Sequence, residues 1–286
     1  MNYMDEIIQG LFSITEKEFK QIAQMVYDKC GIRLSEQKKS LVVGRLSKIL
    51  RRLGLSTFNE YYEYVFNDRS GLALSELVDK ISTNHSFFFR ETDHFNYMRS
   101  VIFPDILAAL ENQQTKSMRI WSAGSAAGEE IYTIAMILDD YFGQVLNYYD
   151  IGLLATDISY SILEQARRGV YPTAKTNEIP PEYKLKYFDY LDKENVSIKP
   201  FLRDMILFKR LNLMDGLFPF KGKFDIIFCR NVMIYFDSLT RENLIKKFYN
   251  HIKNGGYLFI GHSESIPRGS SKLKYIKPAI YKKISD

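Results

Sequence analysis

Apolar residues recur at helical spacing along the first 82 residues of the chain. The stretches Thr15–Glu18 and Thr57–Glu60 each have the form of a capping box, in which a threonine at a helix start is followed three residues later by a glutamate. The helix that begins at Thr15 is expected to end at Gly31, because glycine readily adopts the left-handed conformation of a C-cap. Three further stretches show the same periodicity: Ser35 to Leu53, Thr57 to Phe66 and Leu74 to Ile81. We therefore expect an all-helical N-terminal domain over residues 1–82.

From Phe95 onward, short apolar strands alternate with amphipathic helices. A helix is predicted from Phe95 to Asn112, although Pro104 lies within it. The apolar run from Phe224 to Cys229 is typical of a parallel strand that is buried on both faces. Other strands are predicted at Arg119 to Ser122, Gly152 to Asp157, Met205 to Phe208 and Tyr257 to Ile260. The predicted fold class is therefore α/β, with a Rossmann-like, mostly parallel, doubly wound sheet over residues 96–286.

Residues 170–204 interrupt this alternation. They are rich in charged residues and tyrosines and contain four prolines, Pro172, Pro180, Pro181 and Pro200. Because no strand–helix unit can be recognised there, we interpret the segment as an insertion on the sheet domain.

Residues 83–95 are interpreted as a linker that contributes to the active site. Phe87, Phe88 and Phe89 cannot all face one side of a helix, and we expect them to wedge between two domains. The neighbouring Arg90 has two open interpretations. It is either a structural ion pair or cation–π contact, or a clamp whose planar guanidinium matches a carboxylate.

Six small residues, Ala123 to Gly128, follow the strand that ends at Ser122, and Glu129-Glu130 then begin a helix. Glycine lets a ligand approach the main chain, and the free N–H groups of the helix start would face that ligand. The two glutamates would repel a pyrophosphate, which favours a positively charged ligand without phosphate, such as S-adenosylmethionine. The alternative is a small-residue turn that packs strand against helix and binds no ligand.

The carboxyl ends of parallel strands meet at one edge of the sheet, where the ligands of such folds bind. Four segments are predicted to lie there: Gly124 to Glu129, Asp157, Asn212-Leu213 and Asn231-Val232. Asp157 ends the second strand, the usual position of an acid that binds ribose hydroxyls. This convergence favours a bound nucleoside over a chance glycine turn.

The composition restricts the class of protein. The 286 residues are 46% hydrophobic, and no apolar run is long enough for a transmembrane helix. The first ten residues carry acids where a signal peptide would carry bases, so we expect a cytoplasmic protein. Cys30 and Cys229 lie in unrelated segments and are expected to be buried, reduced thiols rather than a disulfide or a metal site.

The net charge of +5 is unevenly distributed. The stretch from Arg33 to Arg52 carries seven bases and a single acid, Glu36. The helix at about residues 36–53 therefore has two open interpretations. It either presents an ordinary solvated surface or docks an acidic partner through Lys38, Arg45, Lys48 and Arg52.

Four motifs, in order along the chain, resemble the signatures of the CheR family of chemotaxis receptor methyltransferases. Residues 83–91, TNHSFFFRE, resemble the family pattern T-N-x-T-x-F-F-R-E, and residues 121–130, WSAGSAAGEE, resemble W-x-A-x-x-S-T-G-E-E. Residues 229–236, CRNVMIYF, and 256–264, GYLFIGHSE, match the remaining signatures almost letter for letter. The resemblance covers nearly the whole chain.

The resemblance implies methyl transfer from S-adenosylmethionine to glutamate side chains of chemotaxis receptors, with a glutamyl methyl ester and S-adenosylhomocysteine as products. The cofactor-binding positions that it implies are Asn84, Ser86, Arg90, Glu129, Asp157, Asn212, Leu213, Asn231 and Val232. The small-residue loop adds Gly124 to this set. Arg90 and Tyr235 match the positions proposed to orient the substrate carboxylate. The insertion would form a small antiparallel β-subdomain, which docks receptors in some members, and no metal or nucleic acid is expected.

The chemistry agrees with this set, because a glutamate with an ordinary pKa of about 4.3 is ionised at neutral pH and needs no general base. One departure from the family pattern is Ala126-Ala127, where relatives commonly carry two hydroxyl residues. Losing two hydrogen bonds of about 1 kcal/mol each would weaken cofactor binding several-fold. The alternative function is therefore a non-catalytic regulatory module that binds S-adenosylmethionine or S-adenosylhomocysteine. Methylation of nucleic acid is disfavoured, since Asn231-Val232 lacks the prolines of an Asn-Pro-Pro-Tyr motif.

Overall fold

The computed structural model describes residues 12–82, 86–112 and 117–284. The chain divides into two units. The helical unit comprises Met1–Thr83 together with the short segment Tyr235–Asp237, and the sheet unit comprises Asn84–Ile234 and Ser238–Asp286.

Four α-helices form the helical unit in the described residues. They are α1 (Glu16–Cys30), α2 (Lys39–Leu53), α3 (Phe58–Asn67) and α4 (Leu72–Ile81), with a 3-10 turn at Glu36–Lys38 before α2. Their apolar stripes pack into one core, in which Val26, Leu46 and Phe58 are completely buried. The four helices predicted from periodicity are confirmed, and this core explains why they are stable together.

The two predicted capping boxes differ in outcome. At α1 the box is complete: the Glu18 amide donates to Thr15 Oγ1 at 3.3 Å, and the Thr15 amide donates to Glu18 Oε2 at 2.8 Å. At α3 the Thr57 hydroxyl accepts the Glu60 amide at 3.1 Å, but the Glu60 carboxylate accepts the amide of Ser56 instead of that of Thr57. The second prediction was therefore only half right.

Three of the four bases expected on a docking face make contacts inside the helical unit. Lys38 Nζ lies 5.2 Å from the ring centroid of Tyr235. Arg45 Nη1 donates to the carbonyl oxygens of Lys80, Ile81 and Ser82 at 3.0 Å each, which satisfies the C-terminal end of α4. Arg52 forms a two-oxygen ion pair with Glu76. The charge of Arg52 is thus paired with an acid, and Arg45 is held by carbonyl oxygens. Docking through this face stays a prediction.

Ten strands are present in the described part of the chain. They are β1 (Ser117–Ala123), β2 (Asp150–Asp157), β3 (Val170–Pro172), β4 (Phe188–Tyr190), β5 (Asn195–Ile198), β6 (Ile206–Arg210), β7 (Phe224–Cys229), β8 (Ile252–Ile260), β9 (Lys274–Lys277) and β10 (Ile280–Lys282). Seven of them form one sheet in the order β6-β2-β1-β7-β8-β10-β9. The first five of these are parallel, and β10 and β9 add antiparallel strands at one edge. The predicted mostly parallel, doubly wound fold is confirmed.

Helices precede and connect these strands in the sheet unit. They are α5 (Thr92–Tyr97), α6 (Phe103–Asn112), α7 (Glu129–Phe142), α8 (Tyr160–Arg168), α9 (Pro181–Tyr187), α10 (Pro200–Asp204) and α11 (Ser238–His251). The single helix predicted from Phe95 to Asn112 is wrong, because a π-helical turn at Met98–Ile102 separates α5 from α6. Pro104 has no amide hydrogen and would clash with the carbonyl four residues earlier, and the wider turn lies where this conflict arises.

The insertion forms a separate three-stranded antiparallel sheet in the order β3-β5-β4, as the resemblance implied. Its inner face is continuous with the core of the sheet unit, since Tyr171 and Ile198 are completely buried in that core. The same core contains Phe228 and Phe259 of the main sheet, whose rings stack with their centroids 4.4 Å apart. The insertion therefore shares one hydrophobic core with the larger sheet.

Cys30 and Cys229 are both buried and are not linked in a disulfide, as predicted. Burial raises the pKa of the Cys229 thiol well above its ordinary value, so this group is unreactive. Within the residues that the structure describes, no helix has the length and apolar character needed to cross a membrane.

Candidate cofactor site and active site

The loop after β1 is shaped by two glycines. Gly124 has φ +78° and Gly128 has φ +94°. Residues other than glycine rarely adopt such positive φ values. A Cβ atom on Gly124 would lie 2.4 Å from Cγ2 of Val232. Because Val232 follows β7, the missing side chain lets the loops after two neighbouring strands come together.

Asp157, at the end of β2, holds this loop in place. Its Oδ2 accepts the amide of Ala126 at 3.0 Å, and its Oδ1 accepts the amide of Ser159 at 3.0 Å. The amides of Gly124 and Ser125 donate to the carbonyl oxygen of Thr156 at 2.8 and 2.9 Å. Asp157 therefore holds the loop after β1 and the start of α8, in addition to its predicted role in binding ribose.

Glu129 begins α7 and is completely buried. Lys175, from a 3-10 turn at Thr173–Thr176 in the insertion, pairs with its Oε1. Within the described residues no group donates a hydrogen bond to Oε2. A buried carboxylate oxygen without a donor is energetically costly, so a donor from a water molecule, an ion or a ligand is expected at this atom.

A buried guanidinium, that of Arg230, organises the other side of the site. Its Nε and Nη2 donate to Glu91 Oε2 at 3.2 and 3.1 Å, and its Nη1 donates to Glu130 Oε2 at 3.1 Å. Nη2 also donates to the carbonyl oxygen of Arg90. The hydroxyl of Ser122 completes the group by donating to Glu130 Oε1 at 2.7 Å. One cation thus fixes the backbone of Arg90 and joins it to the end of β1 and the start of α7.

The two carboxylates respond differently to this environment. For Glu91, burial alone would raise the pKa, but the charge of Arg230 and the His262 amide lower it below its ordinary value. For Glu130, burial outweighs the opposing effects of Arg230 and Ser122 and raises the pKa. Arg230 therefore favours the charged form of both carboxylates, and only for Glu91 do this charge and the hydrogen bonds outweigh the effect of burial.

The aromatic segment before Arg90 packs at Phe88 into the core of the sheet unit, and the wedge between two domains stays a prediction. Phe88 is buried against Tyr171 and Phe188, with ring centroids 5.0 and 5.5 Å away. The Arg90 guanidinium carbon lies 5.4 Å from the ring centroid of the exposed Phe87. Arg90 thus makes the cation–π contact that was one of its two interpretations. This contact does not prevent the guanidinium from also binding a carboxylate, which was the other.

Backbone strain is concentrated next to Arg90. Phe89 and Glu91, on either side of it, have φ +57° and +56°. The Phe89 amide donates to Thr133 Oγ1 at 3.2 Å, and Glu91 is held by Arg230. Non-glycine residues keep such a conformation only where their surroundings enforce it, so the position of Arg90 is closely defined.

Asn231, after β7, is held by a buried carboxylate. Glu264 Oε2 accepts the amides of Asn231 and Gly261 at 3.0 and 2.6 Å, and its Oε1 accepts the amide of Ile234 at 3.2 Å. Asn231 has φ +59°, and a Cβ on Gly261 would lie 2.5 Å from its Nδ2. Glu264 therefore fixes a strained turn that presents Asn231 and Val232 at the sheet edge.

The remaining predicted positions are less strongly constrained. Asn212 is half-buried, and its Oδ1 accepts the amide of Met214 at 3.0 Å, while Leu213 is buried and Ser86 half-buried. Asn84 lies outside the described residues. Tyr235 belongs to the helical unit, where its carbonyl accepts the amide of Arg33 at 3.1 Å and Lys38 Nζ lies 5.2 Å from its ring centroid.

Glu91, His94 and His262 place one potential metal-ligand atom each within 4.8 Å of one another. The Oε2 atom of Glu91 is already engaged by Arg230, whose positive charge opposes a second cation at this point. His262 also contacts Asp93, at 3.2 Å. This arrangement is better explained as part of the Arg230 network than as a metal centre.

Two family models match the chain. The CheR methyltransferase all-alpha domain matches residues 17–82, and the CheR methyltransferase SAM-binding domain matches residues 84–281. The chain belongs to the CheR methyltransferase family. A chemotaxis protein methyltransferase of Borreliella burgdorferi is 46% identical over 271 residues, which cover 95% of each chain. A chemotaxis protein methyltransferase of Escherichia coli is 33% identical over 256 residues, covering 88% of this chain and 86% of that one.

Among solved structures, a glycopeptide N-methyltransferase with bound S-adenosylmethionine matches 63% of this chain and 58% of its own, with a TM-score of 0.31 and 14% identity. The cofactor of the CheR family is S-adenosylmethionine. The residues of this chain fit it on two observations. The orphaned Oε2 of Glu129 offers an acceptor to a positively charged group, and the absent side chain at Gly124 lets the loops after β1 and β7 meet at the sheet edge where the ligands of such folds bind.

Proposed function

We propose that this CheR-family protein methylates glutamate side chains of chemotaxis receptors, giving glutamyl methyl esters and S-adenosylhomocysteine. The relatives described above carry the name chemotaxis protein methyltransferase, which supports receptors as the substrate class. The observation that carries the proposal is the buried Arg230 group, which fixes Arg90 beside a loop with the features of a cofactor site.

In this proposal the cofactor, when bound, supplies an electrophilic methyl group on a sulfonium. Glu129 binds the positively charged end of the amino-acid portion, and Asp157 binds the ribose hydroxyls. Ser86, Asn212, Leu213, Asn231 and Val232 line the remaining surface, together with Asn84, which is assigned from the motif alone.

The receptor glutamate needs no base, because its ordinary pKa of about 4.3 leaves it ionised at neutral pH. The task of the protein is to hold one carboxylate oxygen in line with the methyl group, about 3 Å away. Arg90 suits this task, since a guanidinium orients a carboxylate through two parallel N–H groups. Its contact with Phe87 restrains the side chain. Tyr235 is proposed, from the family motif, as a second group that orients the substrate.

Methyl-labelled S-adenosylmethionine tests the proposal. The full chain is incubated with receptor-containing membranes, and the label on the receptor is then tested for release as methanol by mild base. Base-labile label that is lost in Arg90→Ala, and kept in Arg268→Ala at an exposed arginine of the same unit, is the expected result. Binding of S-adenosylhomocysteine without any incorporation would instead favour the non-catalytic module.

A further inference from the structure

Lys175 is the only cation paired with Glu129 among the described residues. The two residues lie 46 positions apart, and Lys175 comes from the insertion, in the turn that directly follows β3. The Glu129 side chain is completely buried, whereas 36% of the Lys175 side chain is exposed. The lysine therefore reaches inward from solvent to a carboxylate that solvent does not reach.

This pairing uses one side of the carboxylate. Oε1 is occupied by Lys175, and Oε2 is the buried oxygen without a hydrogen-bond donor. Under the proposed function, Glu129 is also the residue that binds the ligand ammonium. Two ammonium groups on one buried carboxylate would repel each other strongly at a separation of a few ångströms. The lysine, with a flexible stem and an exposed side, can move into water at little cost.

We propose that Lys175 is an internal competitor for the ammonium group of the cofactor and so sets the affinity and selectivity of the site. In the free protein it neutralises Glu129. When a ligand that carries an amino-acid portion binds, Lys175 leaves Glu129 and turns to solvent. This inference rests on the proposed role of Glu129 in the cofactor site, and it adds a residue that none of the family motifs contains.

The proposal makes ligands with and without an ammonium group behave differently. Without the lysine, S-adenosylhomocysteine no longer has to displace a bound cation, and its affinity should rise. Methylthioadenosine shares the nucleoside and lacks the amino-acid portion, so its affinity should not change. A lysine that merely supported the fold would affect both ligands alike.

Calorimetric titration of the full chain with S-adenosylhomocysteine and with methylthioadenosine tests this. Lys175→Met should bind S-adenosylhomocysteine about tenfold more tightly than the wild type, which corresponds to about 1.4 kcal/mol. Methylthioadenosine should bind both proteins equally. Lys175→Arg retains the charge and should stay within about twofold of the wild type. Lys193→Met, at an exposed lysine of the same insertion, is the matched control and should change neither affinity.

Weaker or unchanged binding of S-adenosylhomocysteine by Lys175→Met would overturn the proposal, because the lysine would then position Glu129 or play no part. A parallel gain for methylthioadenosine would also overturn it. Retained methylthioadenosine binding shows that the variant is folded. Failure of the wild type to bind S-adenosylhomocysteine would refute both this inference and the cofactor site. Binding as expected without receptor methylation would refute only the proposed function.

Discussion

The hydroxyl of Tyr171 donates a 2.6 Å hydrogen bond to the carbonyl oxygen of Ala127, so the first strand of the insertion is bonded directly to the loop after β1. Tyr171 is completely buried, and burial raises the pKa of its hydroxyl well above the ordinary value, which keeps it a hydrogen-bond donor. This bond and the Lys175–Glu129 pair are two separate connections between the insertion and the predicted cofactor loop.

Replacing Tyr171 with Phe should therefore destabilise the protein. The change removes one donor and leaves a carbonyl in the interior without a partner, which costs about 1–3 kcal/mol. Urea unfolding of the full chain measures the loss. Tyr190→Phe, at an exposed tyrosine of the same insertion, should leave the free energy of unfolding unchanged. Equal stability of the two variants would contradict the role assigned to this hydrogen bond.

Gly124→Ala should weaken cofactor binding. The new methyl group would lie 2.4 Å from Val232 Cγ2 and would force a side chain into the left-handed region, which costs about 1–2 kcal/mol before the clash is counted. We expect at least a roughly tenfold loss of affinity for S-adenosylhomocysteine in a calorimetric titration. Gly216→Ala, where nothing lies within 4 Å of the added methyl group, is the control. Unaltered binding by Gly124→Ala would show that the loop is not part of the cofactor site.

Arg230→Met should be strongly destabilising. It leaves the carboxylates of Glu91 and Glu130 buried without their cation, and breaking a buried pair in this way costs about 3–5 kcal/mol. Adding Glu91→Gln and Glu130→Gln to the same chain should recover part of the loss, because the uncompensated charges are then gone. Denaturant unfolding of the single and triple variants tests this. No recovery in the triple variant would show that packing, rather than charge, dominates.

His94 should make the protein sensitive to mild acid. Burial, and then the charge of Arg230, lower the pKa of His94 to about 4, although Glu91 and Asp93 oppose the shift. Its ring nitrogens have no hydrogen-bond partner among the described residues, and Nδ1 lies 3.5 Å from Glu91 without hydrogen-bond geometry. Because the folded pKa lies below the unfolded value of about 6.5, the unfolded chain binds a proton first as the pH falls. The contribution of His94 to the free energy of unfolding is therefore fully present above about pH 6.5. It is lost progressively as the pH falls from about 6.5 to about 4.

Unfolding measured at about pH 7.5 and pH 5 isolates the contribution of His94. The wild type should lose about 2 kcal/mol more than His94→Phe over this interval, since phenylalanine cannot take up a proton. Phenylalanine also suits the ring contacts with Phe259 and His262, whose centroids lie 5.3 and 4.7 Å away. Parallel losses in the two proteins would mean that another group titrates.

The sequence predicts those parts of the fold whose signals are local. The capping box at Thr15, the apolar run of β7 and the acid at the end of β2 each depend on residues a few positions apart, and the structure has each element as predicted. Convergence of the loops after β1, β2 and β7 also follows from one rule of parallel sheets. The π-helical turn at Met98–Ile102 was missed, because Pro104 indicates an irregularity without specifying its kind.

The contacts that organise the site could not be predicted from the sequence, because they join residues that are far apart in the chain. Arg230 lies 139 residues from Glu91, and Lys175 lies 46 residues from Glu129. Neither pair has a spacing that indicates contact, and a lysine in a charged segment resembles any surface lysine. The only available signal was at Arg230, a charged residue directly after the buried strand β7, where an ion needs a partner.

A small inserted subdomain is a segment that a protein engineer would often delete to obtain a minimal enzyme. Here such a deletion would take with it Tyr171 and Lys175, and it would uncover Phe88, which packs against Tyr171 and Phe188. The remaining sheet unit would keep every family motif and still lack the support of the predicted cofactor loop. The small sheet is thus not a detachable module, and chimeras that exchange it between relatives should carry both contact residues across together.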